Sequence, residues 1–370
     1  MRITLFTLAF AASLFAQDPT DRFRINQTQV IGSHNSYKQA IDASLFELID
    51  RERPGRLNSL DYFQLTLSEQ LNLGLRKLEL DVVHDPEGGR FAEPLGLRMV
   101  KAAGMPEGPA YDPDGLMQAP GLKVLHVQDI DFRTHVYTFK QALEELKAWS
   151  DAHPRHLPIA ITMNAKTGDT PIPGGTRLLP FDREAFDAWD EEIRAVLPAE
   201  KLLTPDDVRG DFPTLEEAAL AHAWPALSEA RGRFLFVLDE RDEKLETYVL
   251  GHPSLVGRVM FVNAREGRPE AGFRIVNDPI RDFHYIQKLV RAGYLVRTRA
   301  DANTRQARSG DRSMMEAAFA SGAQFISTDY YFPEAAAKFR TGYLVELPGG
   351  GPGRWNPLLT PPVKNLAAPE

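Results

Sequence analysis

Short apolar runs and amphipathic stretches alternate along most of this chain. Eight runs read as strands: Val30-Ile31, Leu75–Val83, Leu122–Val127, Pro158–Ala165, Arg233–Asp239, Arg258–Asn263, Tyr294–Arg299 and Ala323–Asp329. Between them, apolar residues recur at helical spacing. Leu45, Leu48 and Ile49 do so in Ser44–Glu52, Phe139, Leu143, Leu146 and Trp149 in Phe139–Ser150, and Phe186, Trp189, Ile193 and Val196 in Asp182–Leu197. Further helices are predicted over Ser68–Leu75, Leu215–His222, Asp282–Ala292 and Arg312–Ala320. Thr214-Leu215-Glu216-Glu217 is a capping box, and Gly293 and Gly322 stand where helix-ending glycines belong. Residues His84–Gly121 break the pattern with many glycines and prolines and little periodicity. The tail after Leu347, rich in Pro and Gly, reads as irregular or as a closing strap.

Strands separated mostly by helices in one continuous span predict an α/β fold, a single (β/α)8 TIM-like barrel with an irregular crossover between the second and third strands. A doubly wound open sheet is the rival, but no Gly-rich dinucleotide fingerprint follows any strand. A length of 370 residues allows two domains or one large barrel, and no shift in composition marks a second domain. Residues 17–370 are therefore assigned to the barrel and its tail.

Met1–Ala16 reads as a secretory signal: Arg2, an apolar run, small residues, then polar Gln17-Asp18-Pro19-Thr20. The expectation is a secreted or periplasmic protein. It has no cysteine, so a large packed core rather than disulfides must hold it together. No later segment is long and apolar enough for a transmembrane helix. The net charge of −8 argues against a nucleic-acid partner and leaves room for a local basic pocket.

In a barrel, polar residues at the carboxyl ends of the strands converge on one mouth. Those residues are His34 and Asn35, Glu79 and Asp81, His126, Asn164 and Lys166, Asp239, Asn263, Arg297 and Arg299, and Asp329. Alternation places Glu79 and Asp81 together, on the face opposite Leu78, Leu80 and Val82. Two histidines, a carboxylate pair and two amides suit a hard cation, Ca²⁺ or Mg²⁺, beside an acid/base pair, whereas zinc would want more imidazole or thiolate. Arg297 and Arg299 suit a phosphate, with Lys166 as a third substrate-binding cation. Blander readings of the same residues remain open. Glu79 and Asp81 could form a solvated strand face, His126 could be a hydrogen-bonded core histidine, and the arginines could pair with acidic neighbours. The remaining histidines fall in loops or on helices and receive no role.

Gly32-Ser33-His34-Asn35-Ser36-Tyr37 after the first strand, Leu78-Glu79-Leu80-Asp81-Val82 on the second and Val124-Leu125-His126-Val127 on the third resemble the catalytic X region of calcium-dependent phosphatidylinositol-specific phospholipases C. The likeness is to the secreted bacterial branch. Residues 124–132, 296–304 and 321–331 extend it over most of the chain. The resemblance implies His34 and His126 as catalytic histidines, and Asn35, Glu79 and Asp81 as ligands of Ca²⁺. A fourth ligand, a glutamate in the animal enzymes, is Asn164 here. It matches Arg299, or Arg297, loosely to a substrate-binding arginine. The lysines expected near the fifth strand are absent, since that strand ends Leu238-Asp239-Glu240-Arg241, so recognition of extra ring phosphates is not implied. The implied reaction is attack of the inositol 2-hydroxyl on phosphorus, giving diacylglycerol and an inositol 1,2-cyclic phosphate. It would be catalysed by a monomer acting on phospholipid at a membrane surface. Glycerophosphodiester phosphodiesterases share the barrel type but have His-Arg-Gly where this chain has His34-Asn35-Ser36. A secreted barrel that only binds headgroups is the other alternative, toward which Asn164 points.

Overall fold

Ten strands are present in the computed structural model, which describes residues 23–169 and 172–360. The Met1–Ala16 signal expectation lies outside the described residues. The strands are β1 (Thr28–Ser33), β2 (Lys77–Val83), β3 (Lys123–Val124), β4 (Ile159–Ala165), β5 (Phe234–Leu238), β6 (Phe261–Asn263), β7 (Ala271–Ile275), β8 (Leu295–Arg299), β9 (Phe325–Thr328) and β10 (Arg354–Trp355). Eight of them run parallel in the order β1-β2-β4-β5-β6-β7-β8-β9, and β9 pairs back onto β1. The sheet closes on itself, so the fold is a TIM barrel. Its strands are buried almost throughout, as expected where helices cover the outside and side chains fill the inside. Phe139, Leu143 and Leu146 of one outer helix and Phe186, Trp189 and Ile193 of the next join that core.

The strand count matches the sequence pattern, but one member differs. Leu122–Val127 is not a barrel strand: only Lys123 and Val124 are extended, and they pair antiparallel with the end of β2. The run then breaks into a turn in which Asp131 N–H donates to Val127 C=O at 2.8 Å and Asp129 takes a left-handed φ of 68°. The missing barrel strand is β7, Ala-Gly-Phe-Arg-Ile, which has no clean alternation and follows β6 without an intervening helix. Its outer cover comes from the helix Leu215–Leu220, contributed earlier in the chain. Leu215 lies so near that a Cβ on Gly272 would stand 3.2 Å from Leu215 Cγ.

Barrel closure depends on one glycine. Gly32 is the residue of β1 paired with Lys77 of β2, and a Cβ there would sit 2.1 Å from the Lys77 carbonyl oxygen. That oxygen is backbone and cannot move aside without opening the sheet. Gly32→Ala is therefore expected to destabilise the fold by about 3 kcal/mol or more, measured as a fall in the urea midpoint. A midpoint unchanged from the parent would show that the seam has slack.

Candidate active site

β1 delivers His34 and Asn35 to the mouth. Asn35 sits at φ 46°, a left-handed conformation that asparagine tolerates better than most residues. Its Nδ2 donates to the Tyr62 hydroxyl at 2.7 Å, which leaves Oδ1 as the free end of the amide. His34 Nδ1 lies 3.0 Å from Asp329 Oδ1, just beyond β9. The Arg299 guanidinium lies along the same ring, with Nη2 3.3 Å from Nδ1 and Nη1 3.4 Å from Nε2. Tyr62 stacks on the ring with centroids 5.9 Å apart. Burial, aided by Arg299, pushes the His34 pKa down against the pull of Asp329 and Glu79.

β2 contributes three side chains on one face, because residues two apart in a strand point the same way. Lys77 lies deepest and is fully buried; its Nζ donates to Glu79 Oε2 at 2.7 Å, to Ser327 Oγ at 2.8 Å and to the Ser33 carbonyl at 3.0 Å. Glu79 Oε2 also accepts from Arg297 Nη2 at 2.6 Å and Thr162 Oγ1 at 3.1 Å. Its Oε1 faces His34 Nε2 at 3.6 Å. Burial pushes the Glu79 carboxyl up, but Lys77 and Arg297 together outweigh it and hold the group well below the usual carboxylate range. Lys77 is pushed down to about 7, by burial first. Asp81 Oδ1 accepts from Asn164 Nδ2 at 2.9 Å, and Lys166 Nζ stands 3.1 Å from Oδ2.

His126 reaches the mouth from the crossover rather than from a barrel strand. Its Nδ1 is 2.7 Å from Asp131 Oδ2, and Lys38 Nζ is 3.1 Å from Asp131 Oδ1. Lys38 and Asp131 are both fully buried. Lys38, the residue that follows the Gly32–Tyr37 motif, thus fixes the carboxylate that holds the second imidazole.

The opposite wall is built from β4 and β5. Glu240 Oε1 accepts from Ala165 N–H at 2.8 Å, and Lys244 Nζ donates to Ala165 C=O at 2.5 Å and to Glu240 Oε2 at 3.0 Å. Both peptide groups of Ala165 are clamped, and Asn164 and Lys166 flank that residue. Asp239 accepts from Asn263 Nδ2 at 3.1 Å, and burial pushes its pKa up. His34, Asn35, Glu79, Asp81, His126, Asn164, Lys166, Arg297 and Arg299 all line one cavity of about 430 Å³. Asp239 lines it too, whereas Asn263 and Asp329, the other strand-end residues read from the sequence, stand behind the lining and bond Asp239 and His34. Arg297, however, is 2% exposed and bonded to Glu79 and Asn277, so its charge already has a partner.

The sequence reading gave no role to Lys77, Lys38, Asp131, Tyr62 or Glu240. Lys77 had a signal, since the period that joined Glu79 to Asp81 also joins Lys77. The others act through pairings between distant segments and carry no periodic mark.

Among the described residues no group of three or more His, Cys, Asp or Glu side chains is arranged to hold a metal. The available donors are instead two carboxylates and two amides. The NH₂ ends of Asn35 and Asn164 are engaged by Tyr62 and Asp81, so both amides keep a carbonyl oxygen available. Four oxygen donors of this kind fit Ca²⁺.

The family model for Ca²⁺-dependent phosphoinositide phospholipase C matches residues 23–357. The chain belongs to this family. It is a phospholipase C of the phosphodiester-cleaving type, and its family is Ca²⁺-dependent. No curated protein matches it in sequence. Among solved structures, the calcium-dependent phosphoinositol-specific phospholipase C of a Pseudomonas species is 16% identical. That match covers 91% of this chain and 97% of the other at a TM-score of 0.53. The Ca²⁺-dependent enzyme of Streptomyces antibioticus is 18% identical, with 85% and 97% covered and a TM-score of 0.50. These likenesses are of fold.

Proposed function

We propose that this phospholipase C cleaves phosphatidylinositol to diacylglycerol and inositol 1,2-cyclic phosphate, with His34 and His126 as its two catalytic histidines. The observation that carries the reading is that two imidazoles line the same cavity as Glu79 and Asp81, each with Nδ1 against a buried aspartate. An imidazole held through Nδ1 presents Nε2 as its working atom.

In this reading His34 and Arg299 face the phosphoryl oxygens and stabilise the charge that grows there. His126 gives its proton to the leaving glycerol oxygen, and Asp131 fixes the ring for that transfer. Glu79, kept anionic by two cations, is a poor proton acceptor, which favours Asp81 as the base for the inositol 2-hydroxyl. When bound by Asn35, Glu79, Asp81 and Asn164, Ca²⁺ supplies Lewis acidity that lowers the pKa of that hydroxyl. On the β5 wall Asp239 is a carboxyl and the Lys244 ammonium is already paired with Glu240, which does not favour extra ring phosphates. A Pseudomonas neighbour of this fold is solved as a myoinositol complex, at 16% identity and a TM-score of 0.52, which supports a plain inositol ring as the headgroup. Export and action as a monomer at a membrane surface complete the proposal. Among the described residues no helix is long and apolar enough to cross a membrane.

Phosphorus NMR of the products tests it. With phosphatidylinositol and Ca²⁺ a cyclic phosphate resonance is expected, and excess chelator is expected to remove it. Cleavage of glycerophosphodiesters to an acyclic monoester alone would overturn the proposal.

A further inference from the structure

The three cations beside Glu79 and Asp81 are not equivalent. Lys77 and Arg297 are buried to within 2% and share one oxygen of Glu79, so they are fixtures of the barrel interior. Lys166 differs. Its side chain is 32% exposed on the cavity wall, and its ammonium rests on Asp81 Oδ2. The other Asp81 oxygen accepts from Asn164, so neither oxygen of this ligand stands open. The Lys166 main chain is held, with its N–H donating to Val82 C=O at 2.9 Å and the preceding Ala165 clamped by Glu240 and Lys244. Only the flexible four-carbon stem can move.

Resting on the proposed metal site, we infer that Lys166 is a displaceable cation: it occupies Asp81 in the ion-free protein, yields to Ca²⁺, and turns its ammonium to the substrate phosphate. A Ca²⁺ ion on Asp81 repels the ammonium already resting there, and Lys166, unlike the buried pair on Glu79, has open cavity to move into, so ion entry and lysine release are one exchange. The ammonium then lies in the cavity that the phosphodiester enters. The lipid phosphodiester is the anion best placed to receive it. Burial of that anion in the site makes the displaced charge worth more there than in water.

The exchange predicts opposite effects on ion binding and on turnover. Lys166→Gln removes the competitor, and Ca²⁺ is expected to bind about two- to tenfold more tightly, the size of a partly exposed ion pair. Turnover of phosphatidylinositol at saturating Ca²⁺ is expected to fall about tenfold or more. Lys166→Arg keeps the charge and should bind Ca²⁺ as the parent does. Isothermal titration with Ca²⁺ alone, on full chains whose melting temperatures match the parent, reads the first effect without any turnover. Asp81→Asn serves as the ligand-deficient control. A parent that binds Ca²⁺ while Lys166→Gln binds it no more tightly overturns the exchange and leaves the metal site standing. A parent that, like Asp81→Asn, takes up no Ca²⁺ overturns the metal site and the exchange with it.

Discussion

His34→Ala is expected to lower turnover of phosphatidylinositol by about 10³-fold or more while leaving the fold intact. The loss is large because one ring meets Asp329, Arg299 and Glu79 at once, so its removal takes away the group that joins the arginine to the carboxylates. The fold should survive because Asp329 is not stranded. Arg299 Nη2 remains 3.5 Å from it and Gln64 Nε2 donates to it at 3.2 Å. Asp329→Asn should lose less activity than His34→Ala, since Arg299 and Tyr62 still brace the ring. Steady-state rates on phosphatidylinositol vesicles, with melting curves alongside, check both. Activity of His34→Ala within tenfold of the parent would sink the two-histidine reading.

The site was legible where strand geometry alone determines who meets whom. His34, Asn35 and Asn164 lie at or beside strand carboxyl ends, which a barrel gathers without further information, and the period of two carries Glu79 and Asp81 up one face of β2 to the same mouth. His126 was found through a mistaken element. Its run looks like a strand, but Asp131 draws the imidazole into a turn, and the residue reaches the mouth on a loop. The partners that tune these groups were harder to see. Asp131 with Lys38, and Glu240 with Ala165, join segments tens of residues apart, and no local pattern announces such pairs. β7 escaped for a related reason. Its Gly272 makes room for Leu215, and its Arg274 bonds Asn263 Oδ1 at 2.8 Å, so contacts made by other segments replace the alternation a strand normally shows.

Glu79→Ala should be doubly damaging, lowering activity beyond detection and stability by about 3 kcal/mol or more. Most such ligand substitutions at an open mouth leave the fold alone. This one leaves Lys77 and Arg297 inside the barrel without their shared counter-ion. The two cations respond differently: a lysine can release its proton, whereas a guanidinium stays charged. Lys77 already titrates near 7, against about 10.4 in an unfolded chain. In that interval the unfolded state binds more protons, so stability rises with pH. Losing Glu79 lowers the Lys77 value further and widens the interval downward. Denaturant midpoints across pH 6 to 9 should therefore climb more steeply for Glu79→Ala than for the parent, and Lys77→Met in the same chain should flatten that climb. Equal midpoints for parent and Glu79→Ala at pH 7 would show that water, rather than the carboxylate, satisfies the two cations.

β10 crosses β1 antiparallel, with Trp355 opposite Thr28 and its ring 4.2 Å from that of Phe23. The two chain directions leave this pair on the same side, so tension applied between them loads it as a zipper rather than in shear. Its few hydrogen bonds then break one after another. The strap would peel away at low force while the closed barrel, and the site on its far mouth, carried no load until the strap was gone.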